Sequence, residues 1–151
     1  MYNPIHKALC AATEAMDDEL RIIARESSLA RRLTTVPGVW PVVALSFIAG
    51  LDDAVRLRRP KDVGAFLGLK PRRHKSRDMD WPGRISKCGD RDLCRLLYSA
   101  ATTSITQIRK SPPLRAWALR LQDRKGFKKA AVAASRKLAA VMICIRRDTI
   151  V

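Results

Sequence analysis

The sequence predicts an all-α fold: a helical bundle led by a coiled-coil-like helix. Three observations carry that expectation. Apolar residues recur at three- and four-residue steps over 4–28, 90–109 and 127–147. The breaks between those stretches are Pro and Gly clusters, at Pro37-Gly38, Ser111-Pro112-Pro113 and Arg124-Lys125-Gly126. Strand-type alternation is scarce, and no segment repeats.

With 151 residues, 47% of them apolar, the chain can build one real core and is not globally disordered. It divides into an amphipathic linker or coiled-coil helix over 1–32 and a basic domain over 33–151. Charge is also unevenly placed. Residues 1–53 hold five basic and seven acidic side chains, whereas 54–151 hold twenty-five and seven, which makes up the net +16. Such a cationic carboxy-terminal two thirds points to a polyanion, with nucleic acid first, because each neutralised phosphate releases counterions. A membrane-lying helix fits poorly, since Pro and Gly interleave with the basic residues. The fourteen-residue apolar run at 38–51 is too short to span a bilayer and predicts a buried helix. Cys10, Cys88, Cys94 and Cys144 have no metal-ligand spacing, and Cys94 and Cys144 fit helices as small reduced hydrophobes. A cytoplasmic setting is expected, with no signal peptide.

In the first helix Ile5, Leu9, Ala12, Met16, Leu20 and Ile23 form one narrow stripe, with Glu14, Asp17, Asp18, Arg21 and Arg25 off it. This is either a dimerising coiled-coil arm or a helix folded onto its own domain. Leu33–Ala49 then reads as a helix, a Pro37-Gly38 turn, and a helix with Pro41 in its first turn and Gly50 as its cap. The unit is similar to a helix-hairpin-helix, whose turn holds a DNA phosphate on backbone N–H groups, which makes Gly38 a candidate binding residue. Trp40 stands where that motif has a second glycine, and the other reading is a tight corner that buries Trp40. Pro60–Leu67 predicts a short helix with Val63, Phe66 and Leu67 inward.

The stretch Gly68–Asp90 is the chemical centre. It holds Lys70, Arg72, Arg73, Lys75, Arg77, Arg84 and Lys87 among two prolines, three glycines and two serines, and predicts a phosphate-binding loop. The helix after it carries Leu93, Leu96, Leu97, Ala100, Ala101 and Ile105 as its stripe, with Arg91 and Arg95 extending the basic surface. A short helix follows with Leu114, Trp117 and Leu121 on one side. The last helix buries Ala130, Ala134, Leu138, Val141 and Ile145. Its flanking Lys128, Lys129, Arg136, Lys137, Arg146 and Arg147 make a solvated basic face or a phosphate-tracking one.

Four blocks in order, LTTVPGV, FLGLKPRRHKS, GRISKCGDRDLCRLLYSAA and RKGFKKAAVAASRKLA, resemble the carboxy-terminal domain of transposases of insertion sequences 110, 116 and 902, related to the Piv and MooV invertases. The resemblance covers roughly Leu33 to Arg147. It implies a partner amino-terminal RuvC-like domain with a DEDD carboxylate set for divalent metal, joined by a coiled coil whose end looks like 4–28. It further implies a serine, in a loop of roughly PRxxSSGGK, that attacks a DNA phosphodiester. That serine falls on Ser76, and the family's SSGGK reads KSRDM here. Arg72, Arg73 and Arg84 suit charge on the attacked phosphate, and Lys75, Lys87, Arg91 and Arg95 suit flanking phosphates. His74 is the imidazole nearby, and Ser86, the other serine, suits a turn-capping or phosphate role. No DEDD set is found in this sequence, where Asp52 and Asp53 supply two carboxylates. The chain itself is therefore expected to hold no cofactor or metal and to be inactive alone. Expected partners are DNA, a guide RNA as a further candidate, and a second copy through the 4–28 helix. The rival reading is a non-catalytic basic module for DNA or structured RNA, and a third is a helical interaction protein working through 4–28.

Overall fold

A computed structural model describes the chain apart from residues 1–2, 52–56, 58, 70, 77–78, 86–88, 108–111 and 151. For 71–76, 79–85, 112 and 150 it describes the backbone alone. The described residues form an all-α bundle carrying one β-hairpin. Its helices are α1 Pro4–Glu26, α2 Ser28–Leu33, α3 Pro41–Gly50, α4 Val63–Phe66, α5 Arg91–Thr106, α6 Pro112–Lys125 and α7 Phe127–Ile150. A 3-10 turn, Pro60–Asp62, precedes α4, and the strands β1 Pro71–Ser76 and β2 Met79–Ile85 lie between α4 and α5.

The expected 4–28 helix forms as α1 and ends at Glu26, and a second short helix follows it. Ser27 is extended (φ −80°, ψ 116°), and its hydroxyl accepts from the Ala30 amide at 3.2 Å, which starts α2 rather than continuing α1. At the other end Asn3 caps α1 by accepting from the Ile5 amide at 3.1 Å. Helix α1 rests on α3 through its last turns, where Ala24 is buried and Leu20 half-buried. The rest of its apolar stripe is open: Ile5 is 73% and Met16 67% exposed, and Leu9 and Ile23 are also exposed.

The core is built on α7, which packs against α2, α4, α5 and α6. Ala130, Ala134, Leu138 and Met142 step by four along one buried row, with Ala131, Ser135, Ala139 and Ile143 beside them. Alanines at these positions let neighbouring helix axes come close. Val141, expected inside, is exposed, because the four-residue step from Leu138 leads to Met142. Cys144 is exposed as well, whereas Cys94 is half-buried against the core. Helix α3 buries Val43, Ala44 and Phe47, and α5 buries Leu93, Leu97, Ala100, Ala101 and Ile105. The core they share also takes in Ala24, Ala30 and Leu33.

Several polar groups close this bundle. Arg32 on α2 donates to the Thr149 hydroxyl at 2.7 Å, across 117 residues of sequence. Arg146 donates to the Ile48 carbonyl at 3.2 Å and Arg147 to the Leu57 carbonyl, so these two cations of the last helix tie backbone rather than track a phosphate. Lys137 places its ammonium 4.2 Å from the centre of the Trp117 ring, a cation–π contact. Gly126, with φ 82°, turns α6 into α7.

Three other expectations change. Phe66 faces out at 55% exposure while Val63 and Leu67 are buried, because α4 is a single turn with one inward edge. Gly50 is the last residue of α3 rather than its cap. A side chain there would stand 2.9 Å from Leu93 Cδ2, so glycine serves the α3–α5 packing. Part of the basic loop is instead a hairpin. Pro71, Pro82 and Gly83 exclude helix, yet the backbone must still pair its amides and carbonyls, and a ladder does so. In a two-stranded ribbon every strand is an edge, where proline and basic residues are tolerated.

Candidate nucleic-acid interface

The hairpin register sets the order of the candidate residues. His74 pairs with Trp81, Lys75 with Asp80, Arg73 with Pro82 and Pro71 with Ile85. An irregularity between Pro71 and Arg73 sets Arg72 opposite the Gly83-Arg84 step, a bulge that bends the ribbon near its base. Ser76 ends β1 and pairs with Met79 at the distal end of the ladder. Arg77, Asp78, Ser86 and Lys87 lie outside the described residues. Among the described residues each strand's partner is the other strand, with no helix packed on either.

The base of the hairpin, by contrast, is held tightly. Gly68 (φ 66°) turns the chain after α4, the Leu69 amide donates to the Gly64 carbonyl at 2.8 Å, and Leu69 is buried. On the returning side Gly89 lies so near α4 that a Cβ would stand 2.5 Å from the Leu67 carbonyl carbon and 2.6 Å from the Phe66 oxygen. Only glycine fits that approach. Asp90 then starts α5, its carboxylate accepting from the Asp92 amide at 2.8 Å and the Leu93 amide at 3.2 Å.

Beside this base opens a cavity of about 790 Å³ between α4, α5 and α7. Leu67, Leu69 and Val132 supply apolar lining, Tyr98 and Ser99 line it from α5, and Arg91, Arg95 and Lys128 are its exposed cations. Arg95 stands 3.7 Å from Asp92, and both side chains are more than 80% exposed, so that pair leaves the guanidinium available to a stronger anion. The arrangement offers three cations around an apolar recess, with a basic hairpin rooted at its edge.

Of the candidate residues, the structure brings Arg91 and Arg95 together and roots beside them the hairpin that carries Arg72, Arg73, Lys75, Ser76 and Arg84. Lys128 joins them from α7. Sequence spacing assigns it only to a helix flank, because its approach to α5 depends on how two distant helices pack. Gly38 lies elsewhere. It is buried with φ 86° against the far half of α5, where a Cβ would meet Ser104 Oγ at 2.2 Å and the Ala100 oxygen at 2.5 Å. Among the described residues no group of three His, Cys, Asp or Glu is arranged for a metal ion, and no helix is long and apolar enough to cross a membrane.

A helical bundle with one basic hairpin and a cationic recess defines the class of domain, and comparison with known proteins gives its family. Residues 30–117 match the model of the Transposase IS116/IS110/IS902 family. The transposase for insertion sequence element IS1111A of Coxiella burnetii is 31% identical over 153 residues, covering 97% of this chain and 42% of that protein. The putative transposase y4pF/y4sB of Sinorhizobium fredii is 30% identical over 138 residues, covering 90% of this chain and 36% of that protein. The transposase for insertion sequence element IS1328 of Yersinia enterocolitica is 30% identical over 134 residues, covering 88% and 40%. The chain belongs to this transposase family and corresponds to its carboxy-terminal domain. It spans about two fifths of the length of these relatives.

Proposed function

We propose that this chain is the DNA-binding carboxy-terminal part of an insertion-sequence transposase, acting in DNA transposition and recombination through Ser76. The observation that carries the reading is the hairpin bearing Ser76 rooted beside the recess that holds Arg91, Arg95 and Lys128. Phosphates on those cations would bring a neighbouring phosphodiester to the ribbon. In the reaction the Ser76 oxygen bonds to phosphorus as its proton passes to a base. The bond from phosphorus to one sugar oxygen breaks, and that oxygen takes up a proton, leaving DNA joined to the serine as a phosphodiester. Arg72, Arg73 and Arg84 stabilise the charge that builds on the phosphate. A divalent metal belongs to the family's DEDD carboxylates. No step here is assigned to that metal, and on this reading the chain acts only together with a domain that carries those carboxylates.

Domain organisation follows the same reading, with 1–32 the end of a coiled coil and 33–151 the serine domain. The unpartnered stripe Ile5, Leu9 and Met16 supports homo-oligomerisation through α1.

A gel assay for a protein–DNA adduct that survives denaturant tests the serine. The expected result is no adduct from this chain alone, and an adduct when a DEDD domain is added, lost in Ser76→Ala. An adduct from this chain alone that Ser76→Ala abolishes would refute inactivity, and one that survives the substitution would refute the nucleophile.

The second reading is a non-catalytic basic module for DNA or a guide RNA. It is favoured by one observation: Arg77, Asp78 and Met79 stand where the family pattern has two glycines and a lysine. DNA binding that persists with no adduct under any combination of domains would establish it.

A further inference from the structure

A second cleft, of about 490 Å³, lies between α1, α2 and the Val36–Pro41 turn, away from the hairpin and the recess at its base. The turn meets α5 at Ala100 and Ser104, nine and thirteen residues beyond Arg91. At the rise of an α-helix that separation is about 14–20 Å along the axis. Ala24 and Val39 supply buried apolar lining, and Arg21, Arg25 and Arg31 bring three exposed guanidinium groups from two helices. Arg21 is already paired with Asp18 at 2.6 Å. Among the described residues Arg25 and Arg31 have no acidic partner.

The fourth participant is Trp40. The Pro37-Gly38 corner forms but does not bury it: the indole is 55% exposed beside the arginines. A large exposed aromatic beside arginines that have no acidic partner among the described residues suits a ligand with both a flat apolar face and negative charge. A nucleotide has both. Because stacking on an indole needs a base freed from pairing, and a cleft of this size admits one or two nucleotides, a duplex does not fit the requirement.

We propose that this cleft binds single-stranded nucleic acid, with a base stacked on Trp40 and its phosphates on Arg25 and Arg31. The ligand class rests on the nucleic-acid reading above, but no hairpin or recess residue takes part. DNA and RNA present the same stacking face and phosphate, and the experiment separates them.

The test uses the intact chain and fluorescence anisotropy over a salt series. The probes are a labelled twelve-nucleotide DNA strand, the same sequence as RNA, and the DNA duplex. Trp40→Ala is expected to weaken single-strand binding by roughly tenfold or more, as loss of one stacked base does, while duplex binding stays within about twofold. Trp40→Phe restores most of the loss. The double variant Arg25→Ala/Arg31→Ala lowers the single-strand salt slope by about 1.4, roughly 0.7 for each lost contact. The tighter of the DNA and RNA strands identifies the source. Unchanged single-strand binding in Trp40→Ala, or equal losses for strand and duplex, would overturn the cleft while leaving the recess reading intact. So would competition by polyglutamate as effective as by oligonucleotide of equal charge. Wild-type chain that binds none of the three probes would overturn both. Thermal melts matching wild type keep unfolding out of the comparison, and where Trp40→Ala melts early, Trp40→Phe and the arginine pair decide.

Discussion

Ser104 donates its hydroxyl to the Pro37 carbonyl at 2.7 Å, and the same oxygen fills the space where a side chain on the next residue, Gly38, would stand. Helix α5 therefore holds the Pro37-Gly38 turn through a buried hydroxyl whose single proton is shared with its own Ala100 carbonyl, at 2.8 Å. Ser104→Ala removes the donor and is expected to cost about 1 kcal/mol in urea denaturation. Gly38→Ala adds left-handed backbone strain and a clash, together about 2–5 kcal/mol. The double variant does not recover, because the Ala100 backbone oxygen, 2.5 Å from the new Cβ, cannot withdraw.

Gly89→Ala tests the base of the hairpin. Its new methyl would lie within 2.7 Å of three atoms of the Phe66–Leu67 backbone. The expected outcome is faster amide exchange over residues 71–85 with α5 and α7 still protected, at a cost of about 1–3 kcal/mol. Equal loss of protection throughout the bundle would show that the base carries the whole fold.

Arg91→Ala, Arg95→Ala and Lys128→Ala combined are expected to lower the salt slope for duplex DNA by about 2.7, roughly 0.9 for each phosphate contact. All three side chains are exposed, so the melting temperature should barely move. A salt slope unchanged from wild type would remove the recess from the interface.

The α1 stripe predicts association. Ile5→Gln, Leu9→Gln and Met16→Gln together should shift the chain toward monomer in sedimentation velocity without lowering its melting temperature, because these residues are exposed and lie outside the buried core. A wild-type chain already monomeric at high concentration would end this reading.

Much of the bundle was legible because periodicity reports one buried face. Leu93, Leu97, Ala100, Ala101 and Ile105 lie inside as their spacing requires, and so do Ala130, Ala134 and Leu138. Val141 and Phe66 escaped because each sits at the edge of a stripe, where the angle of a neighbouring helix decides burial. The hairpin escaped because its strands bury no face against a helix, so no apolar alternation marks them. Trp40 shows the limit most plainly. Its hydrophobicity argues for burial, and only the path of the turn sets it outside. In the recess, Arg91 and Arg95 were readable from one helix, whereas Lys128 required the pairing of α5 with α7.

The position of α7 also bears on synthesis. Leu33 and Val63 are buried in a core to which the last helix contributes Leu138, Met142 and Ile143. A ribosome adds these residues after the others, so the emerging α2, α3 and α4 must wait with apolar faces uncovered while roughly a hundred residues follow Leu33. A stop codon before residue 127 would leave that wait without an end. Its product should be taken up by chaperones and proteases rather than persist as a smaller domain.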